Sequence, residues 1–211
     1  GLGWKKKVLS GWVVCDDEPH VVLGILRLAD MLGIEKTYSC DAPRLSGTPH
    51  SFQERLPFDV SATPFAVPHP FPRNRYKQWP LERWGTVMRF LDECGLPILI
   101  TGGGGREEVD YANELACRCQ RQVTVLAGRC SWAEVAHVLS RCAVYLGVDT
   151  AATHLAASLN APTVALYGRP NRMYLPYHST WLDHPYTQRT EGVLGSRYVQ
   201  VVTGGCDCPD S

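Results

Sequence analysis

The sequence has no excess of charge of either sign. Lys and Arg total 21 and Asp and Glu total 21 in a chain of 211 residues, so the formal net charge is zero. A protein that binds nucleic acid or an anionic membrane usually carries a basic surplus. The balance therefore argues against nucleic acid as a partner.

Long apolar segments are also missing. Apolar runs such as residues 97–100 and 163–167 are far shorter than the ~20 residues that cross a bilayer, and the opening GLGWKKKVLS has no apolar signal core. The composition, 45% hydrophobic and 20% charged, is that of a globular protein. We therefore expect a soluble, unsecreted protein in the cytoplasm, with peripheral contact at the inner face of the membrane as an alternative.

The cysteines lack the compact spacing of a disulfide framework. There are nine, an odd number, spread through apolar or helical stretches. The pairs Cys117/Cys119 and Cys206/Cys208 have one-residue gaps, whereas structural zinc prefers gaps of about two to four residues. We therefore expect reduced thiols and no metal site.

What the sequence does contain, from Pro64 onward, is an alternation of short apolar runs and amphipathic segments. The predicted strands cover residues 65–67, 97–101, 122–126, 143–148, 162–167 and 198–202, and the predicted helices cover residues 81–94, 106–119, 131–141 and 150–159. Ser131 and Glu134 form a capping-box pattern at one helix start. Such alternation predicts an α/β fold, with a Rossmann-like parallel sheet covered by helices on both faces.

The first part of the chain follows another pattern. Residues 16–33 predict one amphipathic helix that ends at Gly33. Residues 39–61 are rich in Pro and Ser, and they form either an interdomain linker or an irregular strand–turn segment. We assign residues 1–61 to the remnant of a preceding domain with its linker, and residues 62–211 to the Rossmann-like domain.

Glycine marks the ends of three predicted strands, where parallel sheets bind their ligands. Gly102 to Gly105 follow one strand, Gly147 precedes the end of another, and Gly168 follows a third. Four glycines in a row suggest close approach of backbone to a ligand, although a tight turn explains any single one equally well. The pattern matches neither the dinucleotide fingerprint nor the P-loop.

The segment VDTAATHL, residues 148–155, is a second candidate site. Asp149 or Thr150 can cap a helix, and His154 lies one turn along on the same side as Thr150. Backbone N–H groups and these side chains can together bind a phosphate. An ordinary helix cap followed by a packed histidine explains the spacing equally well.

A third candidate is the segment HPFPRNRYKQWP, residues 69–80. It concentrates Arg73, Arg75 and Lys77 between the first strand and its helix, in a chain that is neutral overall. Positive charge is thus placed at the rim where an anion would bind. A solvated loop with surface charges is the alternative.

Taken together and in order, four segments resemble the C-terminal domain of glycosyltransferase family nine, the heptosyltransferase-like family. They are VPHPFPRNRYKQWPLERW, ILITGGGGREE, SWAEVAHVLSRC and YLGVDTAATHLAASLNAPTVALYG. The resemblance covers residues 62–176. It implies the C-terminal half of a GT-B fold, in which two Rossmann-like domains face each other across a cleft and the C-terminal one holds the nucleotide sugar.

The resemblance also implies roles for particular residues. Lys77 would contact the diphosphate or the departing sugar, and Glu108, or else Glu107, would hydrogen-bond the nucleoside. Asp149, Thr150 and His154 would bind the phosphates and the sugar. The implied nucleotide-sugar set is Lys77, Gly102, Gly103, Glu108, Asp149, Thr150, Ala151 and His154.

In this scheme Lys77 and a helix N-terminus would stabilise the leaving diphosphate, so neither a metal nor another cofactor is required. Two positions depart from the family. Ala151 stands where glycine is usual, and its methyl group would narrow the site. Arg169-Pro170 replaces the usual Pro-Thr, which would add a phosphate ligand or alter the sugar preference.

The implied function is a glycosyltransferase of lipopolysaccharide biosynthesis, or its donor-binding half. It would transfer a sugar from a nucleotide-diphosphate sugar such as ADP-heptose to a cell-envelope saccharide or lipid-linked saccharide. The alternatives are a non-catalytic module that binds a nucleotide or nucleotide sugar, and a fragment of a GT-B-fold nucleotide-sugar epimerase.

The length of the chain bears on activity. A GT-B domain needs ~150 residues, and only the first 61 precede the predicted donor domain. We therefore expect the acceptor-binding half and its general base to be largely absent, and we assign no catalytic residue. The isolated chain is expected to transfer sugar feebly or not at all unless a second chain supplies that half.

Overall fold

The computed structural model describes residues 27–34, 50–120, 123–167, 193–195 and 199–203. Residues 27–31 are helical, and from His50 onward five helices follow one another: α1 (His50–Gln53), α2 (Leu81–Glu93), α3 (Arg106–Ala116), α4 (Trp132–Leu139) and α5 (Ala151–Ser158). The strands are β1 (Ala66–His69), β2 (Ile98–Ile100), β3 (Val123–Val125), β4 (Val144–Val148), β5 (Thr163–Tyr167), β6 (Val193–Gly195) and β7 (Val199–Thr203). A short 3-10 turn at Arg75–Lys77 lies between β1 and α2.

The strands form one sheet in the order β3-β2-β1-β4-β5-β7-β6. All neighbouring pairs are parallel except β6 and β7, which are antiparallel. From β1 the chain builds one side of the sheet, and from β4 it builds the other. The order therefore reverses between β1 and β4, and such a reversal opens a crevice at the carboxyl ends of these two strands.

Helices cover both faces of this sheet, because alternate strand residues point to opposite sides. Leu99 packs on one face with residues of α4 and α5, while Ile98 and Ile100 pack on the other face with residues of α2 and α3. Both apolar layers are buried. The predicted Rossmann-like α/β fold is confirmed.

The residues just before β1 belong to one of these layers. Phe52 of α1 is fully buried, and Leu56 and Val60 after it are 7% and 2% exposed. The Arg55 guanidinium lies 4.9 Å from the centre of the Phe52 ring and pairs with Glu134 of α4. Sequence periodicity did not reveal α1, since four residues make little more than one turn. The division at residue 61 stays a prediction, but the described core begins at Phe52.

The bounds of the predicted elements are close to those observed. The capping box at α4 is present: Ser131 Oγ accepts from the Glu134 N–H at 3.3 Å, and Glu134 Oε2 accepts from the Ser131 N–H at 2.7 Å. Strand β1 is shifted toward its carboxyl end and reaches His69. Pro68 has no N–H to donate, yet its carbonyl accepts from the Thr101 N–H at 3.0 Å, so pairing continues past it.

Other predictions can be followed only in part. Of the predicted helix at residues 16–33, the structure describes residues 27–33, of which 27–31 are helical, and Gly33 has a φ of 64°. That left-handed conformation is the usual glycine stop. Asp16 to Glu18, Gly168 and Arg169-Pro170 lie outside the described residues.

Two general findings apply to the described part of the chain. No helix there is long and apolar enough to cross a membrane. No group of His, Cys, Asp and Glu side chains is arranged to hold a metal ion, and the described cysteines are free thiols.

Candidate functional site

The crevice between β1 and β4 is bordered by His69. This residue ends β1 and lies opposite Gly147 of β4 in the register. Its Nδ1 is 3.0 Å from Oγ1 of Thr101, which follows β2. Burial lowers the pKa of His69 to about 4, so the ring is neutral at physiological pH.

A cation and a carboxylate meet across the same crevice. Lys77 comes from the 3-10 turn that follows β1, and Asp149 follows β4. Lys77 Nζ is 2.5 Å from Asp149 Oδ2, and the two side chains are 30% and 25% exposed. The segments that leave the two central strands are therefore joined by an ion pair that remains accessible to solvent.

The glycine loop after β2 is held by Glu108. This residue lies in the first turn of α3, and its Oε2 accepts from the Gly103 N–H at 2.5 Å. A Cβ at Gly103 would lie 2.7 Å from that oxygen and 2.8 Å from Oε1. The Glu108 carboxylate thus covers Gly103, and any side chain at this position would displace it.

Helix α5 begins within the second candidate segment, VDTAATHL. Thr150 is its N-cap, but the hydroxyl makes no capping hydrogen bond. It lies 3.4 Å from the hydroxyl of Thr153, which is 3.0 Å from the hydroxyl of Tyr145. Ala151 is exposed at the start of the helix, and His154 is partly buried one turn along. The first N–H groups of a helix have no acceptor within the helix, so this end can receive an anion.

A further polar group is buried beside Asp149. Tyr167 ends β5 and is 6% exposed, and its hydroxyl has no hydrogen-bond partner among the described residues. Burial raises the pKa of Tyr167, and the charges of Asp149 and Tyr145 raise it further. The phenol therefore stays protonated close to the carboxylate.

The structure brings the predicted residues together as two contacting groups. Lys77 touches Asp149, with Thr150 and Ala151 next in sequence, and Glu108 touches Gly103 beside Gly102. An ion pair between Arg75 and Glu107 joins the turn that carries Lys77 to helix α3. Glu107, the alternative nucleoside ligand, is thus engaged by Arg75. The individual binding roles stay predictions.

Sequence reasoning missed three polar residues of this region. His69 was not singled out because the strand was expected to end at Val67, before Pro68. Tyr145 lay within a predicted strand and Thr153 within the segment VDTAATHL, and neither was given a role. In the structure both hydroxyl groups lie close to Gly147, where a Cβ would be 2.2 Å from Oη of Tyr145 and 2.7 Å from Oγ1 of Thr153, and no local sequence pattern signals this contact.

We expect His69 to make stability depend on pH. Its folded-state pKa of about 4 lies below the ordinary 6.5, so between these values the unfolded chain binds the proton more readily. The contribution of His69 to the free energy of unfolding is therefore complete above pH 6.5, and it is lost as the pH drops toward 4. Allowing for partial exposure, the loss between pH 7 and pH 5 is about 1–2 kcal/mol. Urea unfolding of wild type and His69→Asn at both pH values measures it, and an equal loss in the two proteins would contradict the assignment.

The sequence pattern of the family described as "Glycosyltransferase family 9 (heptosyltransferase)" matches residues 12–201. The chain belongs to this family. The chain is also similar to lipopolysaccharide heptosyltransferase 3 of Escherichia coli. The two are 29% identical over 111 residues, which make up 52% of this chain and 33% of the relative.

Two solved structures share this fold. A family 9 glycosyl transferase from Veillonella parvula superposes with a TM-score of 0.73 at 16% identity, covering 98% of this chain and 56% of that one. The heptosyltransferase WaaC of Escherichia coli, solved with ADP, gives a TM-score of 0.59 at 25% identity, covering 87% and 50%. The chain thus spans about half or less of the length of these relatives.

Proposed function

We propose that this chain is the donor-binding half of a heptosyltransferase-like glycosyltransferase, and that its crevice binds the diphosphate of a nucleotide sugar. The observation that carries the proposal is the contact between Lys77 and Asp149 at the point where the strand order reverses. Sheets of this kind bind nucleotides at that point. Family membership supports the same class of ligand.

The ion pair leaves Lys77 able to bind a ligand as well. Lys77 carries three N–H donors, so it can bind a phosphate oxygen without leaving Asp149. The Asp149 carboxylate keeps the ammonium at the crevice before a ligand binds. It can also accept hydrogen bonds from the hydroxyl groups of a sugar. The N-terminus of α5 and the Thr150 hydroxyl add donors on the β4 side. His154 lies one turn along the same helix.

The nucleoside part has its own expected place. The loop from Gly102 to Gly105 has no side chains of its own and follows β2, the strand next to β1. Glu108 uses Oε2 to hold this loop, and a carboxylate can accept further hydrogen bonds through its other lone pairs. We propose that Glu108 accepts hydrogen bonds from the hydroxyl groups of the nucleoside. The nucleotide proposed is ADP, because WaaC was solved with ADP.

Sugar transfer would use the same groups. The bond between the anomeric carbon and the diphosphate oxygen breaks, and an acceptor hydroxyl forms the new bond. Negative charge then grows on the diphosphate, where Lys77 and the N-terminus of α5 stabilise it. The acceptor proposed is a cell-envelope saccharide, on the inner face of the membrane, and the acceptor's proton goes to a base that we do not assign to a residue.

Nucleotide binding tests the proposal. We expect the full chain to bind ADP measurably by calorimetry and to gain thermal stability with it, with UDP and GDP titrated in parallel to define the base preference. ADP-heptose should bind at least as tightly as ADP. No heat and no thermal shift with any of these compounds at millimolar concentration would refute nucleotide binding at the crevice.

A further inference from the structure

The hydroxyl groups beneath the start of α5 have fixed hydrogen-bond directions. Thr153 Oγ1 lies 2.6 Å from the Val148 carbonyl oxygen, which can only accept, so Thr153 donates its single proton there. Thr153 can then only accept from Tyr145, whose hydroxyl is 3.0 Å away. Burial raises the pKa of Tyr145, and this effect outweighs the hydrogen bonds with Thr153 and Thr150, which lower it. The phenol therefore keeps the proton that it donates to Thr153.

Thr150 interacts with the Tyr145 hydroxyl, and its contact with Thr153 is the longest of the distances in this cluster. Its hydroxyl lies 3.4 Å from Thr153 Oγ1, at the limit of a hydrogen bond, and makes no capping bond. Thr150 is partly exposed at the crevice, whereas Tyr145 and Thr153 are fully buried. Its proton can therefore turn from Thr153 to an oxygen that arrives from the crevice.

We propose that Tyr145 is a positioning residue which, through Thr153, leaves the Thr150 hydroxyl free to donate to a phosphate oxygen of the ligand. This inference rests on the proposed function. A hydroxyl oxygen has two acceptor lone pairs, and the Tyr145 proton occupies one of those on Thr153. Without that proton, Thr153 would be a buried acceptor lacking a donor, and it would hold the Thr150 proton more strongly.

The packing of Tyr145 shows that its hydroxyl is closely enclosed. The side chain is fully buried and runs along β4 over Gly147, where a Cβ would lie 2.2 Å from Oη and 2.6 Å from Cζ. A phenylalanine would fill the same apolar layer without bringing a polar group into it. The hydroxyl is therefore accounted for by the bond to Thr153 and not by packing.

A double-mutant cycle on the full chain tests the inference, with ADP as the probe. We expect Tyr145→Phe to raise the Kd for ADP about fivefold, and to leave it unchanged within twofold in the Thr150→Val background. A merely structural role would give the same change in both backgrounds. Val138→Ala, a core truncation in α4, controls for lost stability and should leave the Kd within twofold.

A second pair of variants reaches the same network without altering Tyr145. Thr153→Ser keeps the hydroxyl and should keep ADP affinity. Thr153→Ala removes the acceptor that competes for the Thr150 proton, so it should not raise the Kd for ADP. With ADP bound by the wild type, an unchanged Kd in Tyr145→Phe or a fivefold rise of the Kd in Thr153→Ala overturns the inference alone. Equal effects of Tyr145→Phe with and without the Thr150 hydroxyl also overturn it. Absence of ADP binding by the wild type overturns the proposed function as well.

Discussion

Lys77→Ala should weaken ADP binding by about 1–3 kcal/mol, which is roughly a 5- to 150-fold rise in the Kd. The variant removes the ammonium that pairs with Asp149 in the crevice. It leaves that carboxylate facing the ligand phosphates without a compensating cation. Folding should change little, because Lys77 lies in a turn and is partly exposed. Calorimetry with ADP, accompanied by a urea unfolding curve, measures both effects.

Two comparison variants sharpen this result. Lys77→Arg keeps the charge but replaces a compact ammonium with a planar fork, so we expect only partial recovery of affinity. Arg89→Ala removes an exposed cation from α2, where the guanidinium contacts Thr86, and should leave the Kd unchanged. Similar losses in Lys77→Ala and Arg89→Ala would mean that only the overall charge matters.

The second large effect is expected on stability. In Gly147→Ala the new Cβ would lie 2.2 Å from Tyr145 Oη, 2.6 Å from its Cζ and 2.7 Å from Thr153 Oγ1. Tyr145 is fully buried, so the ring cannot move away freely. We expect the free energy of unfolding to fall by about 3 kcal/mol or more, the upper range for overpacking a core. Urea unfolding monitored by circular dichroism measures the change.

A smaller neighbour should relieve the clash. In the double variant Tyr145→Val/Gly147→Ala the ring is absent, so the loss should be less than the sum of the two single losses. Gly104→Ala is the matched control, since a Cβ there would meet only the Gly128 Cα at 3.6 Å, an ordinary contact. Additive losses in the double variant would show that the steric conflict lies elsewhere.

The sequence was informative about the sheet because strand burial leaves a local trace. Ile98 to Ile100 form an unbroken apolar run, as expected for a strand covered on both faces, and the Ser131/Glu134 pattern marked the start of α4 correctly. Helix α1 left no such trace, because its place is fixed by the burial of Phe52 and by the pairing of Arg55 with Glu134. These contacts join residues far apart in the chain.

The same distinction applies to the candidate site. Sequence motifs identified Lys77 and Asp149 separately, and family resemblance implied that both serve one ligand. Their ion pair depends on the neighbouring positions of β1 and β4, which no local pattern records. The hydroxyl network of Tyr145 is still less visible, since a tyrosine in an apolar run looks like any other core residue.

Lys77 and Asp149 come from different halves of the sheet, and this matters for protein engineering. Lys77 follows β1 and Asp149 follows β4, and the 3-10 turn is also tied to α3 by Arg75 and Glu107. Grafting residues 69–80 onto another parallel sheet would therefore transfer the cation without its carboxylate or its anchor. A working transplant must carry β1, β2 and β4 in register together with the segments that leave them, so the smallest exchangeable unit is the centre of the sheet.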